Sequence, residues 1–580
     1  MAEYLSPGVY VEEFDSGSKP MEGVSTSTAG FLGLAERGMA VGIPQLVTNF
    51  ADFKRKYGGY LSENEFGEYR FLAYAVEHFF TNGGSRCFIM RVVPEDAKQA
   101  EGFLPKEEGA VLKITAKNAG EWGNFTQVIV SPASKAKTQV LEILEEGGKK
   151  KYKVKKAVGF NAGDIVAFQE AGAEAVVYNK IVKCQDNVLE FANDFDDGIV
   201  DTELVPTKTI STCEFNLEVR YDDIVEMYEN LSFNINEANY VMKKTEKSDL
   251  VYVEHIPEEE EAVAPPFEKL TGDAALSVYN ISLAGGANGS VSAISAADFI
   301  GVDNGAGKRT GIQSFVDNDM VSIMAVPGVT DPNVQLSLVA HCENLGSRFA
   351  VLDLPKDTMK IDDIITHRDM FDSTYAALYH PWLKVFDPLD KRNISIPPSG
   401  SVIGIYARSD NERGVHKAPA NEVVRACVGL ECNFNKGEQD ILNPKGVNLI
   451  RAFPGMGIRV WGARTASSDG SWKYINVRRL FIFIEESIKA NTNWVVFEPN
   501  DETLWVRVKR TIEVFLTGLW RNGSLAGTST DAAFFVNVDR TTMSQDDIDN
   551  GRLICVIGVA PVKPAEFVIF RITQKTGDAE

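Results

Sequence analysis

Two short runs of strand-forming residues, one near each end of the chain, restrict its folding more than anything between them. Tyr4 to Phe14 (YLSPGVYVEEF) holds the β-formers Val9, Tyr10 and Val11, and its Pro7-Gly8 pair rules out a helix. Glu566 to Thr573 (EFVIFRIT) is a second such run, set off by Pro561 and Pro564. Neither has a neighbouring run with which to form a hairpin. An extended segment this short is not stable alone, because its backbone N–H and C=O groups need another sheet. Both ends of the chain are therefore expected to complete a sheet built elsewhere.

The chain between them is long enough for several cores. It has 580 residues, 44% of them hydrophobic, which predicts a multidomain protein. Its longest apolar runs break after about ten residues, short of the roughly eighteen that a membrane span needs. The opening MAEYLSPGVYVEE is acidic and has no apolar signal core, so a cytoplasmic origin is expected. The seven cysteines are odd in number and sit mostly in apolar runs. Cys427 and Cys432 are the only two close in sequence, and they form neither a CxxC pair nor a zinc pattern.

Charge narrows the function classes. The net charge is −22, opposite to the basic excess of a nucleic-acid binder. The excess acid is concentrated between Glu101 and Glu261, which has 18 Lys/Arg against 31 Asp/Glu. From Val447 to Glu580 the counts are 16 and 15. The middle of the chain reads as solvated exterior and the C-terminal part as surface packed against partners.

Periodicity predicts a mixed α/β, multidomain fold. Residues 1–16 form an arm, and residues 17–103 begin an α/β domain. That domain has a strand at Thr28 to Leu34, helices at Asn49 to Tyr57 and Phe71 to Phe80, and the buried strand CFIMRVV. Residues 104–264 are turn-rich with short β runs and read as an inserted β-rich outer domain. Within it Lys149 to Lys156 (KKKYKVKK) is a solvated hairpin, and Glu258 to Glu261 with Pro265-Pro266 is an exposed linker. Residues 265–420 return to alternating strands and helices, with strands at Val321 to Val326 and Arg348 to Leu354 and a third extended run from Tyr375 to Phe386.

Residues 421–562 form a C-terminal domain. Asn476 is placed to cap one helix, and Asn500 a second whose buried face is Trp505, Val508, Ile512, Phe515, Leu516 and Leu519. Strands follow at Ala532 to Asp539 and Gly551 to Ala560, bridged by a short helix opened by Ser544. Residues 563–580 are the second arm.

Enzyme signatures do not assemble. GAGKRT (Gly305 to Thr310) has Arg309 where a phosphate loop needs Ser or Thr, and Val302 where it needs glycine. Leu283 to Gly289 (LAGGANG) lacks GxGxxG spacing, and neither HExxH nor GxSxG occurs. The six histidines are scattered. His341 and Cys342 read as ordinary packing, His380 before Pro381 as a turn residue, and Asp546-Asp547 as helix-start acids. No catalytic, cofactor-binding or metal-ligating residues are expected. An α/β hydrolase remains the competing class, without a nucleophile and base to support it.

Ordered motifs along nearly the whole chain carry a family likeness. They include SPGVYVEEF (Ser6 to Phe14), STAGFLGLAERG (Ser27 to Gly38), FKRKYGG (Phe53 to Gly59), GEWGN (Gly120 to Asn124) and YENLSFN (Tyr228 to Asn234). GKRTGIQSFVDNDMVSIMAVPG (Gly307 to Gly328), HKAPAN (His416 to Asn421) and ARTAS (Ala463 to Ser467) follow. The C-terminal third adds EPNDETLW (Glu498 to Trp505), DIDNGRL (Asp547 to Leu553) and GVAPVKPAEFVIFRI (Gly558 to Ile572). In these motifs the chain resembles the contractile tail sheath proteins of phages and injection machines, with the insertion near 125 to 227 matching least.

That resemblance implies a non-enzymatic subunit without cofactors. It polymerises into a helical homo-oligomer of stacked, six-fold rings around an inner tail tube, and contacts baseplate and tail terminator proteins. It binds no nucleic acid directly and inserts in no membrane. It assembles in the host bacterial cytoplasm and contracts to drive the tube through a cell envelope.

By the same resemblance, the donated strands are Val9, Tyr10, Val11 and Phe14, and Phe567, Val568, Ile569, Phe570 and Ile572. The strands that receive them carry Phe534, Phe535, Val536, Val538, Leu553, Ile554, Val556 and Ile557. Residues 15–20 and 561–564 are the hinges. Tube-facing candidates are Arg507, Arg510, Arg521, Ser544, Asp546 and Asp547. A sheath built from two different chains would divide the arms, and this chain keeps both.

Overall fold

The computed structural model describes residues 21–105, 109–146, 149–170, 176–193, 195, 208–257, 263–273, 276–569 and 571. The expected N-terminal arm with Val9, Tyr10, Val11 and Phe14, its hinge at 15–20, the acidic linker at 258–261, and Phe570 and Ile572 lie outside these residues. The fold is mixed α and β in two compact units. One comprises the chain up to Ala35, Met39–Val92 and everything from Ser295 on, and the other Glu36–Gly38 and Val93–Ile294.

The first unit is built on β1 (Ala29–Leu34), α1 (Leu72–Asn82), β2 (Cys87–Val92), β3 (Ile323–Ala325), β4 (Phe349–Asp353), β5 (Ala376–His380), α2 (Ser399–Arg413) and β6 (Val447–Phe453). The nine-stranded sheet runs Gln45–Val47, β2, β1, β3, β4, β5, β6, Gly457–Val460, Glu422–Val423. Strands β2 to β6 are parallel, with Ala29 in register with both Cys87 and Ile323, and the outer strands are antiparallel.

Every residue of β1 to β5 is buried, which explains why these strands read as continuous apolar runs instead of alternating ones. Helices α1 and α2 meet closely. A Cβ on Gly400 would lie 2.3 Å from the Ala75 carbonyl oxygen, and one on Gly404 2.5 Å from that of Phe79, so only glycine fits there.

The same unit ends in α3 (Ile475–Asn491), α4 (Glu502–Arg521), β7 (Phe534–Asn537), α5 (Gln545–Asp549) and β8 (Val556–Val559). Leu480 and Ile484 of α3 pack with Trp505, Val508, Ile512, Phe515 and Leu516 of α4 and with Val536 and Val538. The expected α4 face is buried, with Leu504 added and Leu519 half-buried.

Four local expectations change. The cap of α4 is Asp501, which accepts from Leu504 N at 2.8 Å, while Asn500 instead accepts from Trp505 Nε1. Asn476 lies inside α3, buried, and its amide donates to the carbonyls of His416 and Val562, because tertiary partners outcompete the cap position. The run Tyr375 to Phe386 is two strands in different sheets. It breaks at Pro381 and resumes as Leu383–Asp387 against Arg392–Ile396 and Gly429–Leu430. His380 is consequently a fully buried strand end, its Nε2 2.8 Å from the Thr358 carbonyl.

The second unit is all-strand in its framework. One sheet orders Ile224–Leu231, Glu214–Tyr221, Gln127–Ala133 and Tyr279–Ser282, and another Val251–His255, Leu112–Ala116 and Glu101–Leu104. A closed six-stranded barrel spans Lys137–Glu146 to Lys208–Thr212 around Tyr152, Phe168 and Phe195. Lys149–Val154 is one of its strands, so the lysine-rich segment is indeed hairpin, paired with Lys137–Glu146. At the foot of the barrel Lys135 Nζ is held among Asp164 (3.1 Å), Glu214 (3.4 Å) and Glu237.

Candidate assembly surface

The expected receiving strands come together as β7 and β8, an antiparallel pair matching Phe534 with Val559 and Asn537 with Val556. Among the described residues this is a two-stranded sheet. Sheets this small are marginal in water, so its inner face must be held by something else. Val536 and Val538 supply that by inserting into the α3–α4 core.

The outer face keeps apolar side chains in solvent: Phe535 is 52% exposed and Val556 43%. Phe535 lies across the pair, its ring 2.2 Å from where a Cβ on Gly558 would stand. Phe534, Leu553 and Ile557 are half-buried and Ile554 is exposed. Val538, Leu553 and Ile554 fall outside the strands, which are shorter than the sequence predicts.

The chain leaving β8 stays attached to its own unit for a short distance. Ala560 N donates to Ala533 O, Ala526 N to Ala560 O, and Asn476 Nδ2 to Val562 O. Glu566 then closes a clamp. Its carboxylate accepts from Arg464 Nε (2.8 Å) and Nη2 (2.7 Å), from Asn443 Nδ2 (2.7 Å) and from Tyr474 OH (3.0 Å). Burial pushes this carboxyl upward, but the hydrogen bonds from Arg464, Asn443 and Tyr474 outweigh it and hold it below its ordinary range.

Past the clamp, Phe567, Val568 and Ile569 are exposed and belong to no strand. The sequence gives one hint of the clamp, a single acid directly ahead of the apolar run FVIF. Its partners lie about a hundred residues away, beyond any local signal.

At the other end, residues 22 to 26 run along α3. Asn491 Nδ2 donates to Glu22 O at 2.8 Å, and Val24 N donates to Ser487 Oγ at 3.1 Å.

The tube-facing candidates divide by environment. Arg507 stacks over the Trp494 ring at 4.2 Å, and Arg510 and Arg521 are exposed on α4. Ser544, Asp546 and Asp547 find their partners locally, Asp546 accepting from Asn550 and Arg552. Ser544 and Asp547 form a capping box on α5, and Arg552 reaches both aspartates at 3.0 Å. The Ser544 hydrogen bonds hold Asp547 below the usual carboxylate range.

Chemistry of other kinds finds little support. Arg309 in the GAGKRT loop is taken up by Asp303 (2.8 Å) and Asp317. His341 is buried 3.2 Å from Arg348 Nη1, and burial and that guanidinium push it down to about 3. A serine–histidine contact exists between Ser524 Oγ and His416 Nδ1 at 3.0 Å, but Ser524 is buried. Burial and then Arg413 lower the imidazole. Among the described residues no group of three His, Cys, Asp or Glu is arranged to hold a metal.

Comparison with known proteins decides the family. Residues 306–466 match the phage tail sheath protein central domain and residues 467–575 the phage tail sheath C-terminal domain. The chain belongs to the contractile tail sheath family.

Its C-terminal domain holds the β7–β8 pair, Glu566 and Tyr474, while Asn443 and Arg464 of the clamp belong to the central domain. This sheath chain is 24% identical over 292 residues to the tail sheath protein of Escherichia phage P2, covering 48% of this chain and 71% of that one. It is 26% identical over 212 residues to the tail sheath protein of Vibrio phage KVP40, covering 36% of this chain and only 31% of that relative.

The fold is similar to the sheath complex of an extracellular contractile injection system in its contracted state, with TM-score 0.51, 20% identity and 99% of both chains covered. It is also similar to a sheath tail protein of Listeria innocua, with TM-score 0.53, 11% identity, and 93% and 96% covered.

Proposed function

We propose that this protein is the repeating subunit of a contractile sheath, assembled in the host bacterial cytoplasm as helically stacked, six-fold rings around an inner tube. Contraction of that sheath drives the tube through a target envelope. The observation that carries this is the two-stranded β7–β8 sheet with apolar side chains in solvent, beside a C-terminal run that is itself exposed and unpaired.

Each half of that arrangement supplies what the other lacks. A strand added to β7 or β8 makes about five backbone hydrogen bonds at roughly 1 kcal/mol each and buries Val and Phe side chains. That linkage survives while the larger units turn. The donated strands are residues 9–14 and 567–572 of neighbouring copies. Arg507, Arg510, Arg521 and the α5 turn face the tube through a weak polar contact that releases on contraction. Baseplate and terminator proteins bound the polymer, and the role is structural and non-enzymatic.

Electron microscopy of the purified protein tests this. Helical tubes or rings are expected, and removing residues 1–14 or truncating after Lys563 leaves a folded monomer that does not polymerise. Uniform small particles from the intact chain at high concentration would overturn the sheath role. Normal polymer from either truncation would overturn strand exchange.

A further inference from the structure

Glu566 draws its partners from three separate places. Asn443 follows the helix Lys436–Leu442, Arg464 follows the strand Gly457–Val460, and Tyr474 immediately precedes α3. None belongs to β7 or β8. Arg464 is itself held rigidly. Its N–H donates to Asn448 Oδ1 at 2.7 Å, and Asn448 Nδ2 donates back to the Arg464 carbonyl at 2.7 Å. Asn448 is fully buried in β6, a strand of the large parallel sheet. A short path of charge-assisted and buried hydrogen bonds thus joins Glu566 to the last of the parallel strands, where Asn448 Nδ2 also reaches the Leu378 carbonyl of β5 at 3.1 Å.

We propose that Glu566 is the latch through which pull on the C-terminal arm enters the parallel sheet, bypassing the β7–β8 pair. This rests on reading the segment beyond it as an intersubunit strand. A load applied at Ile569 without the latch would reach β8 along Pro561 to Ala565. That stretch is held by a Leu525–Pro561 bridge and by two single hydrogen bonds at Val562, to Ser524 O (3.4 Å) and from Asn476 Nδ2 (3.1 Å), and its two prolines have no N–H to add more. It would then peel a ladder of four residue pairs from its end, one pair at a time. The bidentate Arg464–Glu566 pair instead takes the load on parallel hydrogen bonds together, in a fixed direction. The arm therefore pivots after Glu566, and residues 561–564 are a fastened lead rather than the hinge.

The full-length chain carrying Glu566→Ala tests the latch. It is expected to remain a folded monomer by near-ultraviolet circular dichroism. Its critical concentration for polymer, read by sedimentation, should rise at least tenfold. Amide exchange at Val562 and Ala565 should speed up at least tenfold. The reversed pair, Glu566→Arg with Arg464→Glu, should bring both readings back to within about threefold of the parent, which a merely structural loss would not do. A Glu566→Ala chain that polymerises and exchanges like the parent overturns the latch, provided that a chain ending at Glu566 does not polymerise. If that shortened chain polymerises normally, the intersubunit reading of the arm falls first.

Discussion

Arg479 of α3 and Asp410 of α2 share two hydrogen bonds, Nη1 to Oδ1 at 2.9 Å and Nη2 to Oδ2 at 2.5 Å, with both side chains almost fully buried. The pair closes over Thr26, whose hydroxyl donates to Asp410 at 2.7 Å and whose carbonyl accepts from Arg479 at 2.9 Å. One ion pair therefore joins two helices and the segment at Thr26. Asp410→Ala would leave a buried guanidinium unpaired, at a cost of about 3–5 kcal/mol. Urea unfolding measures this, and a loss under about 1 kcal/mol would contradict the geometry.

Asp353 gives the large sheet a pH dependence. Its carboxylate sits at the end of β4, fully buried, accepting from Ser399 N (2.9 Å), Ser399 Oγ (2.7 Å) and Gly328 N (3.1 Å). Burial pushes the carboxyl up to about 6 in spite of those hydrogen bonds. Unfolded, it titrates near about 3.9. The folded chain thus holds the extra proton between those values. This group's contribution is fully present below about 3.9 and is lost as pH rises through 6, by about 3 kcal/mol in all. The stability of Asp353→Asn relative to the parent should therefore shift between pH 4 and 6. A difference between the two chains that stays constant across that range would refute the assignment.

Lys135 is the counter-charge at the foot of the barrel. Burial raises the carboxyls of Asp164 and Glu214 there, so little acid is to spare without the ammonium. Lys135→Met should loosen the barrel by about 3 kcal/mol or more. Faster amide exchange is expected in Lys137–Glu146 and Lys208–Thr212, with β1 to β6 unaffected. Uniform acceleration across both units would show that the effect is not local.

The outer face of β7–β8 separates folding from assembly. Phe535 and Val556 point to solvent, so Phe535→Asp or Val556→Asp should alter stability by no more than about 0.5 kcal/mol. If the face receives a neighbour's strand, the same changes bury a carboxylate in the polymer. The critical concentration should then rise at least tenfold by sedimentation. Unchanged polymerisation would move the receiving site elsewhere.

Local pattern was enough to read much of this protein before its structure. The apolar runs of β1, β2 and β4, the buried stripe of α4, and the order of the sheath-like motifs all follow from residues near one another in sequence. Such signals persist because burial on one face, or on both, imposes a period that no distant contact erases. The cap of α4 was legible to within a residue, since Asn500 and Asp501 are both able to cap, and Trp505 decided between them by taking Asn500.

What the tertiary structure alone decided are partnerships across long stretches of chain. Asn476 was read as a cap, and became a buried donor because His416 and Val562 came to meet it. The extended run from Tyr375 split between two sheets according to which neighbours each half found. Glu566 looked like one more residue of a strand until Arg464, Asn443 and Tyr474 converged on it. A hydrogen bond's partner is set by where the whole chain brings an atom, and sequence spacing carries no record of that position.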